Sequence, residues 1–167
     1  MYHIRPIQAQ DNIEIARIIR EVSKEFGLAA ESGFAVADPI LDDLYTVYSQ
    51  KNSQYWIIEN EHGQIFGGGG LSELKGDKTI LEIQKMYFLP EIRSLGFAKQ
   101  ILEKSFQFTE QQGFKSCYLE TTKELWQAVK LYEKLGFKYL DQPKDNTGHS
   151  HACEIWMQKL LSCTSKY

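Results

Sequence analysis

Six consecutive residues, Arg93-Ser94-Leu95-Gly96-Phe97-Ala98, stand between a run that reads as a strand and a run that reads as a helix. A helix start offers four backbone N–H groups without intrahelical acceptors, together with the positive end of the helix dipole. Such a turn suits a phosphate or pyrophosphate. Gly96 lets the backbone approach an anion closely, and Ala98 adds little bulk in front of it. An ordinary strand-turn-helix corner accounts for the same residues, and they form neither a Walker A loop nor a GxGxxG fingerprint. Two carboxylates, Glu82 and Glu120, sit in strand-like runs. Each reads either as a general base or as an exposed carboxylate on a solvated strand. Tyr132 is a phenol on a helical stripe, where periodicity alone makes it a core aromatic. His149, His151 and Cys153 alternate, so on a strand they share a face, as zinc ligands can. With no fourth ligand evident, the expectation is no metal, and the histidines read as structural groups or as polar contacts to a substrate.

The elements that must position these groups follow from the pattern of apolar residues. A first strand covers 3–7. Asp11 reads as the cap of a helix carrying Ile15, Ile18, Ile19, Val22 and Phe26 at helical spacing. After a loop at 27–39, a second short helix places Leu41, Leu44, Tyr45 and Tyr48 on one face, all read as core. Strands near 54–59 and 64–72 are joined by a turn at His62-Gly63. The run Gly67-Gly68-Gly69-Gly70 lies inside the second of these, where glycine marks a bulge or a close backbone approach. A strand at 79–88 ends at Pro90, and a helix runs from about 95 to 112, closed by Gly113. Then come a strand at 115–121, a helix bearing Leu125, Ala128, Val129 and Tyr132, a strand at 137–140, a polar loop, and a final strand at 152–160. Glu82, Gln84, Met86 and Phe88 share one strand face until a bulge intervenes. The element order implies a mixed sheet with helices on its faces, in a single domain over residues 1–167.

Composition bounds the function. The 167 residues suffice for one sizeable core, and 43% hydrophobic with 25% charged residues is an ordinary globular profile. The net charge of −3, from 19 basic and 22 acidic side chains, gives no clustered basic surface for nucleic acid. It is compatible with a cationic substrate such as an amine. Three cysteines without CxxC spacing read as reduced thiols. The N-terminus lacks a signal-peptide pattern and no apolar stretch reaches membrane-spanning length, so the expectation is a cytoplasmic protein without a membrane partner.

The strand Leu81-Glu82-Ile83-Gln84-Lys85-Met86-Tyr87-Phe88, followed by Leu89-Pro90 and by Arg93-x-x-Gly96-x-Ala98, resembles the acetyl-CoA motif of the GNAT N-acetyltransferases, [RQ]xxGx[GA]. Downstream, Ala128-Val129-Lys130-Leu131-Tyr132-Glu133-Lys134-Leu135-Gly136-Phe137 is similar to the recurrent AxxLYxxxGF segment of the same family. The resemblance is strong over 80–138 and extends by element order over about 2–160. It implies a GNAT-like α/β (α+β) fold: a mixed, mostly antiparallel sheet of about six to seven strands, splayed between the fourth and fifth, with about four helices.

The resemblance also implies an activity and its residues. Acetyl-CoA is the expected co-substrate, with an amine of a small molecule, peptide or protein as acceptor. Backbone groups of Met86, Tyr87 and Phe88 would pair with the pantetheine arm. Amides from Arg93, Ser94, Leu95, Gly96, Phe97 and Ala98 through Lys99 would hold the pyrophosphate. Tyr132 matches the tyrosine that protonates the departing thiolate, which an ordinary phenol can do. Glu82 and Glu120 match base positions of different family members, with Glu120 ranked ahead. Transfer is expected to be direct, in a ternary complex, since no cysteine matches a catalytic position.

One departure is that the family's Asn before the tyrosine helix is missing, leaving Thr122 or Gln127 to supply its contact. Acceptor choice would rest on 23–48 and 141–153, with Phe26, Phe34, Tyr45 and Tyr48 as candidate lining. A non-catalytic acyl-CoA-binding module is the alternative, and dimerisation of relatives allows a homodimer by analogy.

Overall fold

The computed structural model describes residues 1–28, 38–144 and 152–161. Seven strands form one sheet in the order β1-β2-β3-β4-β5-β7-β6. They are β1 (Tyr2–Pro6), β2 (Gln54–Asn60), β3 (Ile65–Leu74), β4 (Asp77–Phe88), β5 (Ser116–Thr121), β6 (Lys138–Tyr139) and β7 (Ile155–Leu160). All neighbouring pairs are antiparallel except β4 with β5. Among the described residues there are four α-helices: α1 (Asn12–Glu25), α2 (Leu44–Tyr48), α3 (Phe97–Gln111) and α4 (Trp126–Lys134). None of them is long and apolar enough to cross a membrane.

Alternation along the strands divides the core between two faces. Trp56 and Ile58 of β2 pack with Ile101, Leu102, Val129 and Tyr132 on the α3–α4 side. Tyr55 and Ile57 pack with Ile15, Ile18, Ile19, Leu41 and Leu44 on the α1–α2 side. The apolar stripe of α1 is therefore buried as its spacing requires. Asp11 does not cap α1 with its side chain. Instead its carboxylate accepts from the Gln8 amide at 2.7 Å and from Arg5, which also reaches Glu59, tying β1 and β2 to the start of the helix. In α2, Leu44 and Tyr48 are buried but Tyr45 is 40% exposed, because a helix of five residues has room for one narrow apolar face.

The glycine run in β3 permits close approach on both faces. A Cβ at Gly68 or Gly70 would fall 2.6 Å from the Tyr55 ring, and one at Gly69 would fall 2.6 Å from Met86 Cγ. Tyr55 therefore lies flat across β3, and its hydroxyl donates to the Lys85 carbonyl of β4 at 2.8 Å. Here β4 carries a bulge. Gly68 pairs with Tyr87 and Gly70 with Gln84, so two steps along β3 face three along β4. Lys85 takes a φ of +50°, a conformation that a non-glycine residue rarely adopts.

The bulge corrects the expected facing of β4. Met86 and Phe88 pack in the same cluster as Leu81 and Ile83, opposite Glu82 and Gln84, since the extra residue inverts the alternation. Two strands are shorter than expected at 137–140 and 152–160. The first is reduced to Lys138–Tyr139 and the second begins at Ile155. The helix expected from 95 begins at Phe97, because Ser94 and Gly96 hold φ values of +63° and +86°.

Candidate active site

Parallel pairing between β4 and β5 is confined to Ile80, Leu81 and Glu82 against Ser116, Cys117 and Tyr118. Beyond these the strands part, and β4 continues along β3 alone to Phe88. The backbone edge of Met86, Tyr87 and Phe88 thus faces an opening rather than a strand. At its end, Pro90–Ile92 form one tight turn, and α3 begins after Gly96, a cap residue with no side chain. Gln100 N–H donates to Gly96 O at 3.1 Å, so the amides of Phe97, Ala98 and Lys99 precede the helical ladder. No atom lies within 4 Å of the place a Gly96 Cβ would take, and Ser94 and Leu95 are exposed. A strand edge with no partner strand, leading to uncapped amides, fits an extended amide-bearing chain that ends in a pyrophosphate. It therefore fits acetyl-CoA on the chemistry of its donors.

Arg93 itself is committed elsewhere. Its guanidinium forms two hydrogen bonds to Glu25 at 2.6 and 2.7 Å, donates through Nε to Phe88 O at 2.9 Å, and lies 5.2 Å from the Phe26 ring centre. Its amide donates to Pro90 O. Arg93 therefore clamps the end of α1 to the end of β4, and the amides clear of that clamp begin at Ser94. Lys99 lies within ion-pair distance of Glu103, 3.6 Å away.

On the α1–α2 face, Glu82 and Gln84 stand side by side with Tyr118 and Glu120 across the start of the opening. Glu82 is 3% exposed and accepts from Gln84 Nε2 at 2.9 Å. Gln84 Oε1 in turn accepts from Tyr48 at 2.8 Å and from Ser72 at 3.1 Å. Glu120 accepts from the Tyr118 hydroxyl at 2.7 Å, and Lys144 N–H donates to that same phenol oxygen. Desolvation first, then the hydrogen bond to Glu120, raises the Tyr118 pKa well above its usual range. Glu120, Gln84, Lys85, Tyr87, Thr122 and Cys153 line a small cleft of about 80 Å³. Burial, followed by the charges of Glu120 and Glu82, pushes the Cys153 thiol up to about 12.

Tyr132 lies on the opposite face. It is 8% exposed and packs edge-on to Phe137 at 5.7 Å between ring centres. Burial, with Tyr87 adding to it, raises the Tyr132 phenol above its ordinary pKa. As periodicity requires, Tyr132 is a core aromatic of the cluster on the α3–α4 side, which Met86 and Phe88 also join.

The structure brings Glu120 and Tyr87 to one cleft, sets Glu82 at the last β4–β5 pair, and packs Met86 and Phe88 in the same cluster as Tyr132. It places Arg93–Lys99 at the opening's far end. Thr122 is 4% exposed, with its hydroxyl bonded to Glu124, and Gln127 is exposed, so neither is poised as the missing Asn would be. Phe26 packs on Arg93 rather than lining the cleft. Phe34, His149 and His151 lie outside the described residues. Sequence reasoning missed Gln84, Lys85 and Tyr118. Gln84 and Tyr118 were findable, as polar residues two positions from a candidate carboxylate on the same strand face.

The sequence model of the Acetyltransferase (GNAT) family matches residues 17–137. An Escherichia coli strain K12 protein, named uncharacterized N-acetyltransferase YjgM, is 49% identical over 159 residues, covering 95% of this chain and 94% of its own length. A GNAT-family acetyltransferase from Staphylococcus aureus MU50 superposes with a TM-score of 0.81 at 21% identity, over 97% of this chain and all of that one. A phosphinothricin acetyltransferase from Sinorhizobium meliloti, solved with AcCoA, gives a TM-score of 0.74 at 19% identity, over 99% and 92% of the two chains. At these identities the likeness to solved structures is one of fold.

Proposed function

The chain belongs to the GNAT family of acetyltransferases, and from that premise we propose that it moves the acetyl group of acetyl-CoA directly onto an amine seated in the cleft beside Glu120. The observation that carries this reading is the division of proton-handling groups: Glu82 and Glu120 on one face of the opening, Tyr132 on the other. When bound, acetyl-CoA supplies an acetyl group activated as a thioester. The free edge of Met86–Phe88 holds its pantetheine arm, and the amides from Ser94 to Lys99 hold its pyrophosphate.

Glu120 takes the proton from the acceptor's ammonium, with Tyr118 fixing the carboxylate through Oε1. Glu82, kept in place by Gln84, adds negative charge that favours a cationic amine. A backbone N–H of β4 donates to the acetyl oxygen as charge gathers on it. Tyr132, protonated at neutral pH like any phenol and kept so by burial, donates a hydrogen bond to the departing sulfur. The Cys153 thiol also stays protonated, which argues against an acyl group carried on cysteine.

Calorimetric titration with acetyl-CoA and CoA, followed by CoA release assayed over a panel of amines, tests the reading. Binding that Gly96→Val abolishes, with amine-dependent release, supports it. Failure to bind either ligand sinks it, and binding without amine-dependent release reduces the protein to a cofactor-binding module.

A further inference from the structure

Lys85 stands in an unusual position for a cation. Its side chain is only 8% exposed, yet it reaches the wall of the cleft. Among the described residues its ion-pair partner is Asp38, whose Oδ2 lies 3.8 Å away, beyond hydrogen-bond distance. The other Asp38 oxygen accepts from the Ile40 amide at 3.0 Å. An ammonium held largely out of water, with the Asp38 carboxylate beyond hydrogen-bond distance, is costly to keep, and its place on the cleft wall opens it to an anionic ligand.

The backbone places this ammonium deliberately. Lys85 is the bulge residue, held at a positive φ by the Tyr55 hydroxyl on its carbonyl. The next residue, Met86, begins the free edge of β4. Glu120 lines the same cleft, and Glu82 lies near enough to act on the Lys85 charge. The cleft therefore has a positive wall and a negative wall at the head of the opening.

Building on the acetyl-transfer reading, we propose that Lys85 binds a carboxylate carried by the acceptor itself, so that the substrates are amines bearing a carboxylate close by, as free amino acids do. The ammonium of such a molecule faces Glu120 while its carboxylate meets the Lys85 ammonium in a charge-assisted hydrogen bond. A polyamine or a lysine side chain would instead bring positive charge or a methylene stem against Lys85. Desolvation lowers the Lys85 pKa in the empty cleft, and an arriving carboxylate opposes that shift.

The test compares the twenty L-amino acids with their carboxamides as acceptors for the wild-type protein, with spermidine and a lysine peptide alongside, reading CoA release. At least one amino acid is expected to exceed its amide in kcat/KM by about tenfold or more, the value of one charge-assisted hydrogen bond. In Lys85→Met that preference collapses through KM while acetyl-CoA binding and melting temperature hold, and Lys85→Arg retains it. Amides acetylated as well as acids, or a preference that survives in Lys85→Met, overturn the proposal. Turnover of spermidine or the peptide alone overturns it while leaving acetyl transfer intact, whereas no turnover of any amine removes both. The wild-type comparison decides the matter even if Lys85→Met does not fold.

Discussion

The two faces of the sheet at the opening are built from different material. On the α1–α2 side a relay of polar groups runs from Tyr48 and Ser72 through Gln84 to Glu82, with Tyr118 and Glu120 beside it. On the α3–α4 side Tyr132 stands among Leu119, Val129, Phe137 and Met157, all buried hydrophobics. The carboxylates on that side are oriented by fixed hydrogen-bond donors, Gln84 and Tyr118. A phenol in apolar surroundings keeps its proton because the charged form is penalised. The contrast teaches that one sheet can carry fixed carboxylates on one face and a buried phenol on the other, the separation that the proposed proton transfers require.

The largest expected effect tests the polar face. Glu120→Gln should lower kcat by about 10²–10⁴-fold with acetyl-CoA affinity unchanged, measured by steady-state CoA release and calorimetry. If Glu82→Gln carries that loss instead, the base lies deeper than proposed. Tyr132→Phe tests the apolar face: a loss near the low end, about 10²-fold, is expected, with the melting temperature preserved because the ring still packs on Phe137. Equal losses from Glu120→Gln and Tyr132→Phe would blur the contrast.

Smaller effects probe the scaffold that keeps the faces apart. Gly70→Ala places a Cβ 2.4 Å from the Gln54 carbonyl oxygen, whereas Gly69→Ala meets the flexible Met86 side chain. In urea unfolding the first should cost about 3 kcal/mol and the second about 1. Tyr55→Phe removes the hydroxyl that holds the bulge and should cost about 1 kcal/mol. Smallest of all, Cys153→Ser should leave turnover intact. With its thiol near pH 12, Cys153 should alkylate slowly at pH 8 and faster as pH rises toward that value, followed by mass spectrometry.

Much of this was legible in the residue pattern. Helical spacing located the buried stripe of α1, and the Arg93–Ala98 motif with the Tyr132 segment identified the family and the splayed sheet. The glycine run pointed to close backbone approach, which the Tyr55 ring and Met86 bear out. The bulge was anticipated but could not be placed. Gln84-Lys85-Met86 contains no glycine to mark a positive φ, and the residue that stabilises it, Tyr55, is 30 positions away. The use of the Arg93 side chain was hidden for the same reason, since Glu25 lies 68 positions distant. Asp11 was misread because a carboxylate before a helix can bond backward to Gln8 as readily as forward.

The bulge at Lys85 has a consequence for how such a protein can diversify. A regular strand has a single parity, so changing what faces a substrate alternates with what faces the core along its whole length. Here parity reverses at one residue. Side chains on the α1–α2 side before the bulge can change while Met86–Phe88 keep their own facing. A deletion at position 85, by contrast, would turn both sets over at once. One strained residue makes the two halves of β4 separately editable.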